Sequence, residues 1–332
     1  MKFRSFGKTG WKVSEIGFGA WGISGMWGEQ SDNESIRSIH KAIDMGVNLI
    51  DTAALYGGGR SEKIIAKVLK ERKERIYITT KTQPLPEDYT KAPWPPSPHC
   101  VAEERYPESY LRKNVEERLS NLDIDCIDVL LLHTWTRAWN RNPTPLHHLE
   151  KLKQEGKILF YGVSTAEHDQ NCLNTLMAEE RLDATEVAFN IFEQDPAAEM
   201  LPKATEHNIA VIGRVPFDEG SLTGKYTQET KFEKSDWRNA YFSGDRLERT
   251  LTRVEKVKES IKQFIKDSGL TLSQIALKFV LQQPGISTVI PGMRKIWQVE
   301  SNLAVSAMPP LPDKVIEILH SHIWNRGFWY LG

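Results

Sequence analysis

Val47-Asn48-Leu49-Ile50-Asp51-Thr52-Ala53-Ala54-Leu55-Tyr56-Gly57-Gly58-Gly59-Arg60-Ser61-Glu62 reads as a strand, a turn and the start of a helix. The apolar run ends on the Asp51 carboxylate. Tyr56 follows in a turn that three glycines make flexible. Ser61 stands where a helix N-cap is expected, and Ile64, Ile65 and Val68 space out one apolar helix face. A carboxylate at a strand end with a phenol on the next loop points to chemistry that needs partners from elsewhere in the chain.

The same strand-then-helix unit recurs along the sequence. Ile16–Gly19 precedes a helix over Asn33–Met45, which Gly46 stops. Downstream strands are expected at Ile76–Thr80, Ile127–Leu132, Ile158–Val163, Glu186–Phe189, Ile209–Ile212 and Thr288–Ile290. The intervening helices are read at Ser61–Arg72, from Pro107, at Pro145–Gln154, Asp169–Glu179, Met200–His207, Leu247–Asp267, Leu272–Leu281 and Trp297–Val305. The strands are continuous aliphatic runs rather than apolar/polar alternations, which implies a parallel sheet covered on both faces.

Eight such units favour a closed (β/α)8 TIM barrel, forming one domain over residues 1–332. Lys2–Phe6 and Trp11–Val13 flank Gly7-Lys8-Thr9-Gly10 and read as an N-terminal β-hairpin cap. An additional C-terminal helix is expected over Pro312–His322, and a proline-rich surface loop over Pro84–Pro98. A doubly wound open sheet is the alternative. It is disfavoured because no Gly-x-Gly-x-x-Gly turn follows the first strand.

With 332 residues and a net charge of -1, the chain offers no electrostatic case for nucleic acid or a membrane surface. Cys100, Cys126 and Cys172 show neither disulfide nor zinc spacing, and no metal site is expected. No signal peptide or membrane span is read, so a cytoplasmic setting is expected.

Four ionisable residues fall at or just after neighbouring strand ends: Asp51, Tyr56, Lys81 and His133. Alone, each has an ordinary explanation as a cap, a solvated loop charge or a rim histidine. Together on one rim of a barrel they form an acid–base set. An ammonium is expected to lower the phenol's pKa, a carboxylate to hold the ammonium, and the histidine to orient a carbonyl oxygen or share in the proton relay. The set suits protonation of an oxygen on which negative charge develops, as in carbonyl reduction.

These motifs resemble the aldo-keto reductase superfamily across essentially the whole chain. The matching pieces are Asp51-Thr52-Ala53-x-x-Tyr56-Gly57-x-Gly59-x-Ser61-Glu62, Thr80-Lys81, the aliphatic run into His133 and Gly162-Val163-Ser164. The late match is Ile290-Pro291-Gly292-x-Arg294 with Gln298-Val299-Glu300-Ser301-Asn302. The details look more like the bacterial general reductases and the potassium-channel β-subunit branch.

The resemblance implies a tetrad of Asp51, Tyr56, Lys81 and His133, with Tyr56 as general acid. It implies NADPH across the barrel mouth, with NADH the lesser candidate. Ala20, Trp21 and Asp51 would flank the nicotinamide, and Ser164 and Glu186 its carboxamide. Arg214, Val215, Pro216, Phe217, Gly220, Leu222, Gly224 and Lys225 would wrap the pyrophosphate, and Gly292, Arg294, Gln298 and Asn302 would meet the adenosine end. Arg294 suits a 2′-phosphate by bidentate pairing. The chain departs from the family pattern at Thr165 (usually Asn), Glu186 (often Gln), Arg214 (often aromatic), Val215 (often Ser) and Ser301 (usually Glu).

Substrate contacts are expected from Trp21, Trp27, Trp94 and Trp135, because indole gives a flat apolar face and one donor. The expected partner is a small carbonyl compound, with sugars and sugar-like carbonyls among the candidates, and self-assembly into a homo-oligomer is left open. Two other readings compete: a nucleotide-binding regulatory subunit with slow or no turnover, and a metal- or Schiff-base-dependent barrel lyase using Lys81.

Overall fold

The structure, a computed structural model, describes residues 1–87, 97, 99–166 and 169–324. Strands β1 (Phe3–Ser5) and β2 (Lys12–Ser14) pair antiparallel as the expected hairpin. The other strands are β3 (Phe18–Gly19), β4 (Leu49–Asp51), β5 (Tyr77–Thr82), β6 (Ile127–Leu132), β7 (Ile158–Ser164), β8 (Ala184–Ala188), β9 (Ala210–Arg214) and β10 (Thr288–Val289). They lie side by side in chain order, and every neighbouring pair is parallel. That order contains no reversal, so it excludes the doubly wound alternative.

The sheet curls until its ends meet. Ile16 bridges Val289 and Gly19 bridges Gly292, both in parallel. The Gly17 amide donates to the Val289 carbonyl at 2.8 Å, and the Gly19 amide to the Pro291 carbonyl at 3.1 Å. The result is the expected (β/α)8 barrel.

The aliphatic strands are explained by two cores on opposite faces. On β6, Val129 and Leu131 join an inner cluster with Phe6, Val13, Leu49, Ala184, Ala210 and Ile212, while Leu130 and Leu132 face the helices. The β-hairpin closes the bottom of the inner cluster. Phe6 is fully buried there, and Trp11 stacks on Tyr77 with centroids 4.3 Å apart. Gly7 makes this plug fit: it sits at φ +51°, and a Cβ there would collide with the Ala210 backbone.

Some elements differ from the sequence reading. The helix after β4 is Arg60–Leu69, and its N-cap position is Gly59 rather than Ser61. Ser61 lies in the first turn, with its Oγ 2.6 Å from Thr52 Oγ1, so it ties the helix to the strand end. The long helix expected over 247–267 is two helices, Arg246–Ser260 and Lys262–Ser268, broken at Ile261. The helix expected over 169–179 is shorter, Asn174–Ala178. Most of the proline-rich stretch and the last eight residues lie outside the described residues, as does Trp94. Among the described residues no helix is long and apolar enough to cross a membrane.

Candidate active site

Strand parity decides which side chains meet. Residues two apart share a face of a strand. Leu49 and Tyr77 belong to the inner cluster, so Asp51 and Lys81 point inward too, nearer the strand ends. The same rule carries Ala184 to Glu186, Ile212 to Arg214, and Leu131 to His133 just past β6. The barrel therefore gathers these groups at one mouth.

Lys81 is the hub and is fully buried. Its Nζ donates to Asp51 Oδ1 and Oδ2 at 2.7 and 2.6 Å, to the Thr52 carbonyl at 3.0 Å and to Tyr56 Oη at 3.3 Å. Glu186 brings a second carboxylate, with Oε2 3.1 Å from Nζ. Its other oxygen lies 3.8 Å from Arg214 Nε, and Arg214 Nη2 donates to the Thr165 carbonyl at 3.0 Å. Tyr56 is held from above by Trp21, whose ring meets it edge-on at 4.9 Å, and its ring lies 6.0 Å from that of His133.

Burial governs the electrostatics. It raises the Asp51 carboxyl well above its ordinary range, and the neighbouring Glu186 adds to the rise. Burial alone would discharge Lys81, but Asp51 and Glu186 outweigh it and the net direction is up, so the ammonium persists. Burial also raises Tyr56, and the two carboxylates offset the opposing pull of Lys81. This corrects the expectation that the ammonium lowers the phenol: here the net direction is upward. His133 is pushed well below its ordinary value by burial, then by Lys81 and Arg214, so it is neutral at pH 7.

Residues 15–323 match the Aldo/keto reductase family. The chain belongs to that family. It is 31% identical over 310 residues to the aldo-keto reductase YhdN of Bacillus subtilis, covering 91% of this chain and 87% of that protein. It is 27% identical to a probable voltage-gated potassium channel subunit beta of Arabidopsis thaliana, covering 97% of each. Among solved structures it is similar to a glycerol dehydrogenase of Gluconobacter oxydans, with a TM-score of 0.75, 27% identity and coverage of 100% of this chain and 99% of that one. Membership makes the chain an oxidoreductase of carbonyl chemistry with a TIM barrel.

The mouth of this aldo/keto reductase offers partners to a nicotinamide cofactor. Ser164 and Glu186 are register partners on β7 and β8, and both are buried at the mouth. Glu186 Oε2 accepts no well-aligned hydrogen bond among the described residues beyond its 3.1 Å ion pair with Lys81, so the carboxylate keeps acceptor capacity for a carboxamide N–H. Ala20 is buried after β3, its amide donating to the Asp51 carbonyl at 2.9 Å. After β9, Val215, Pro216 and Phe217 lead into a 3-10 turn, Ser221–Thr223, that buries Leu222 and is bounded by Gly220 at φ +94° and Gly224 at φ +70°. The nicotinamide end therefore fits.

The adenosine end differs from the sequence reading. Arg294 donates from Nη1 to the Trp27 carbonyl and from Nη2 to the Glu29 carbonyl, both at 2.6 Å, and from Nε to Gln30 Oε1 at 3.0 Å. The fork expected to meet a phosphate braces the loop after β3 instead. Gln298 accepts from the amides of Arg294 and Lys295 and so caps its own helix start, while Asn302 is buried. Gly292 makes the barrel-closing bridge. Lys225 stands over Trp297, 4.0 Å from its ring centroid.

The tryptophans also divide. Trp21 is in contact with Tyr56, and Trp27 lies beneath Arg238, 4.7 Å from its ring. Trp135 does not line the mouth: its indole is 1% exposed, stacks edge-on with Trp139 and donates to Asn140 Oδ1. The sequence reading missed the Glu186–Lys81 contact. The signal was present, since a carboxylate two residues from an inward alanine on an apolar strand must face the barrel interior.

Proposed function

We propose that the protein reduces small aldehydes or ketones to alcohols with NADPH, Tyr56 giving the proton. The observation that carries this reading is Tyr56 Oη, buried at the mouth and 3.3 Å from a lysine that two carboxylates keep charged. NADPH held by Ser164 and Glu186 would supply hydride chemistry at the carbonyl carbon. Tyr56 gives its proton to the carbonyl oxygen, and Lys81 stabilises the phenolate left behind. Neutral His133 orients that oxygen by a hydrogen bond. Trp21 bounds the substrate beside Tyr56, and Trp237 meets Trp21 edge-on at 6.5 Å. Such indole faces suit the C–H face of a small polyol-like or sugar-like carbonyl, in keeping with the name of the glycerol dehydrogenase relative.

Ser164 and Glu186 would hold the carboxamide. With Arg294 tied into the first loop, the exposed Lys295 beside it is assigned to the 2′-phosphate. Lys295→Ala should weaken NADPH about tenfold and leave NADH nearly unchanged, a loss of about 1.4 kcal/mol. Arg294→Ala should weaken both nucleotides alike, because it releases the loop rather than a phosphate. Fluorescence titration with each nucleotide distinguishes these outcomes. Selective loss of NADPH in Arg294→Ala alone would return the phosphate to Arg294.

A further inference from the structure

Lys81 has more partners than protons. An ammonium carries three hydrogens, and Asp51, the Thr52 carbonyl and Tyr56 already surround it as acceptors. Glu186 nevertheless brings a second, 1% exposed carboxylate to 3.1 Å from the same nitrogen. It does so as an ion-pair partner, since Oε2 accepts no well-aligned hydrogen bond among the described residues. The groups facing Glu186 are Lys81 from β5, Asp51 from β4, Tyr56 from the following turn and Arg214 from β9, while His133 at the end of β6 faces Lys81 and Arg214.

Resting on the reductase reading above, we propose that Glu186 is a positioning residue. By holding Lys81 between two carboxylates, it keeps Tyr56 a protonated phenol and biases the site towards proton donation, hence towards reduction. With a neutral amide at 186, Lys81 would answer to Asp51 alone and its field at Tyr56 Oη would favour the phenolate. The Glu186 carboxylate stands 3.1 Å from the same ammonium that donates to Tyr56 Oη. Its negative field opposes phenolate formation and adds to the burial that holds Tyr56 above its ordinary value. Arg214 offsets Glu186 only in part, because it approaches the other carboxylate oxygen, at 3.8 Å. In the oxidation direction Tyr56 must act as a phenolate base, so the same carboxylate delays alcohol oxidation to higher pH.

The test is an ultraviolet difference titration of phenolate in the nucleotide-free protein, comparing wild type, Glu186→Gln, Glu186→Asp and Glu186→Gln/Tyr56→Phe. In Glu186→Gln one phenolate equivalent should appear roughly one to two pH units earlier than in wild type. It should vanish in the double variant, and Glu186→Asp should titrate like wild type. Should Glu186→Gln not fold, Glu186→Gln/Arg214→Met removes both charges of the pair and must show the same early phenolate with a smaller shift. Superimposed titrations, or an early phenolate that survives loss of Tyr56, would overturn the inference. A carbonyl assay on wild type separates this from the reductase reading. Turnover with superimposed titrations sinks only the role of Glu186; an early phenolate without turnover sinks only the reductase.

Discussion

Lys81 shows how burial turns a contact into a constraint. Two carboxylates and an ammonium out of water are tolerable only while they compensate one another. Lys81→Met should therefore cost about 3–5 kcal/mol of stability, because it strands Asp51 and Glu186. Adding Asp51→Asn to that variant should recover part of the loss, read by urea denaturation. His133 sets a pH limit of its own. Its folded pKa is depressed by burial and by the cations Lys81 and Arg214, so it contributes stability above its unfolded value of about 6.5. That contribution is lost as the pH falls towards the folded value, because the unfolded chain takes up a proton that the native state refuses. Thermal unfolding between pH 7 and pH 5, estimated from about 6.5 downwards, should fall more steeply in wild type than in His133→Gln. Equal slopes would mean that His133 is not buried neutral.

The turns carry strain that the strands do not. Val215, just past β9, adopts φ +48°, a left-handed conformation that β-branched residues resist. Its carbonyl is held by Asn190 Nδ2 at 3.0 Å. Val215→Gly should raise stability by about 1 kcal/mol in thermal unfolding, since glycine adopts that conformation freely. A drop in stability would show that the valine side chain outweighs the strain. Regular elements were legible because their periods repeat: the aliphatic run of β6 and the helix expected from Pro107, Glu108–Leu122, lie where the sequence places them. What escaped was set by contacts distant in sequence. Ser61 looked like a cap, but Thr52 draws it into the first turn. Arg294 looked like a phosphate ligand until the Trp27 and Glu29 carbonyls claimed its fork. Trp135 looked like a mouth residue until Trp139 and Asn140 enclosed it. Asp51, Tyr56, Lys81 and His133 were legible because a barrel converts position at a strand end into position at one mouth.

The closed barrel makes the site rigid from below. The hairpin plug, the inner apolar cluster and the bridges from β10 back to Ile16 and Gly19 fix the strands whose ends carry the cluster. Gly7→Ala should cost about 1–3 kcal/mol by forcing the plug away from Ala210, a loss read in urea denaturation. An unchanged midpoint would mean that the plug is not part of the cooperative unit. Above the sheet, the segment around Trp237 and Arg238 reaches across to the first loop, where the Trp237 amide donates to the Met26 carbonyl at 2.9 Å. The rim around Tyr56 is thus built from two loops distant in sequence. The most direct measurement is NADPH oxidation with a panel of small aldehydes, ketones and aldoses, in wild type and Tyr56→Phe, with NADPH binding followed in the same samples. The account expects binding in both proteins and turnover only in wild type, with activity reduced by at least about a hundredfold in the variant. Equal turnover in Tyr56→Phe, or tight binding with no turnover of any carbonyl by wild type, would contradict it.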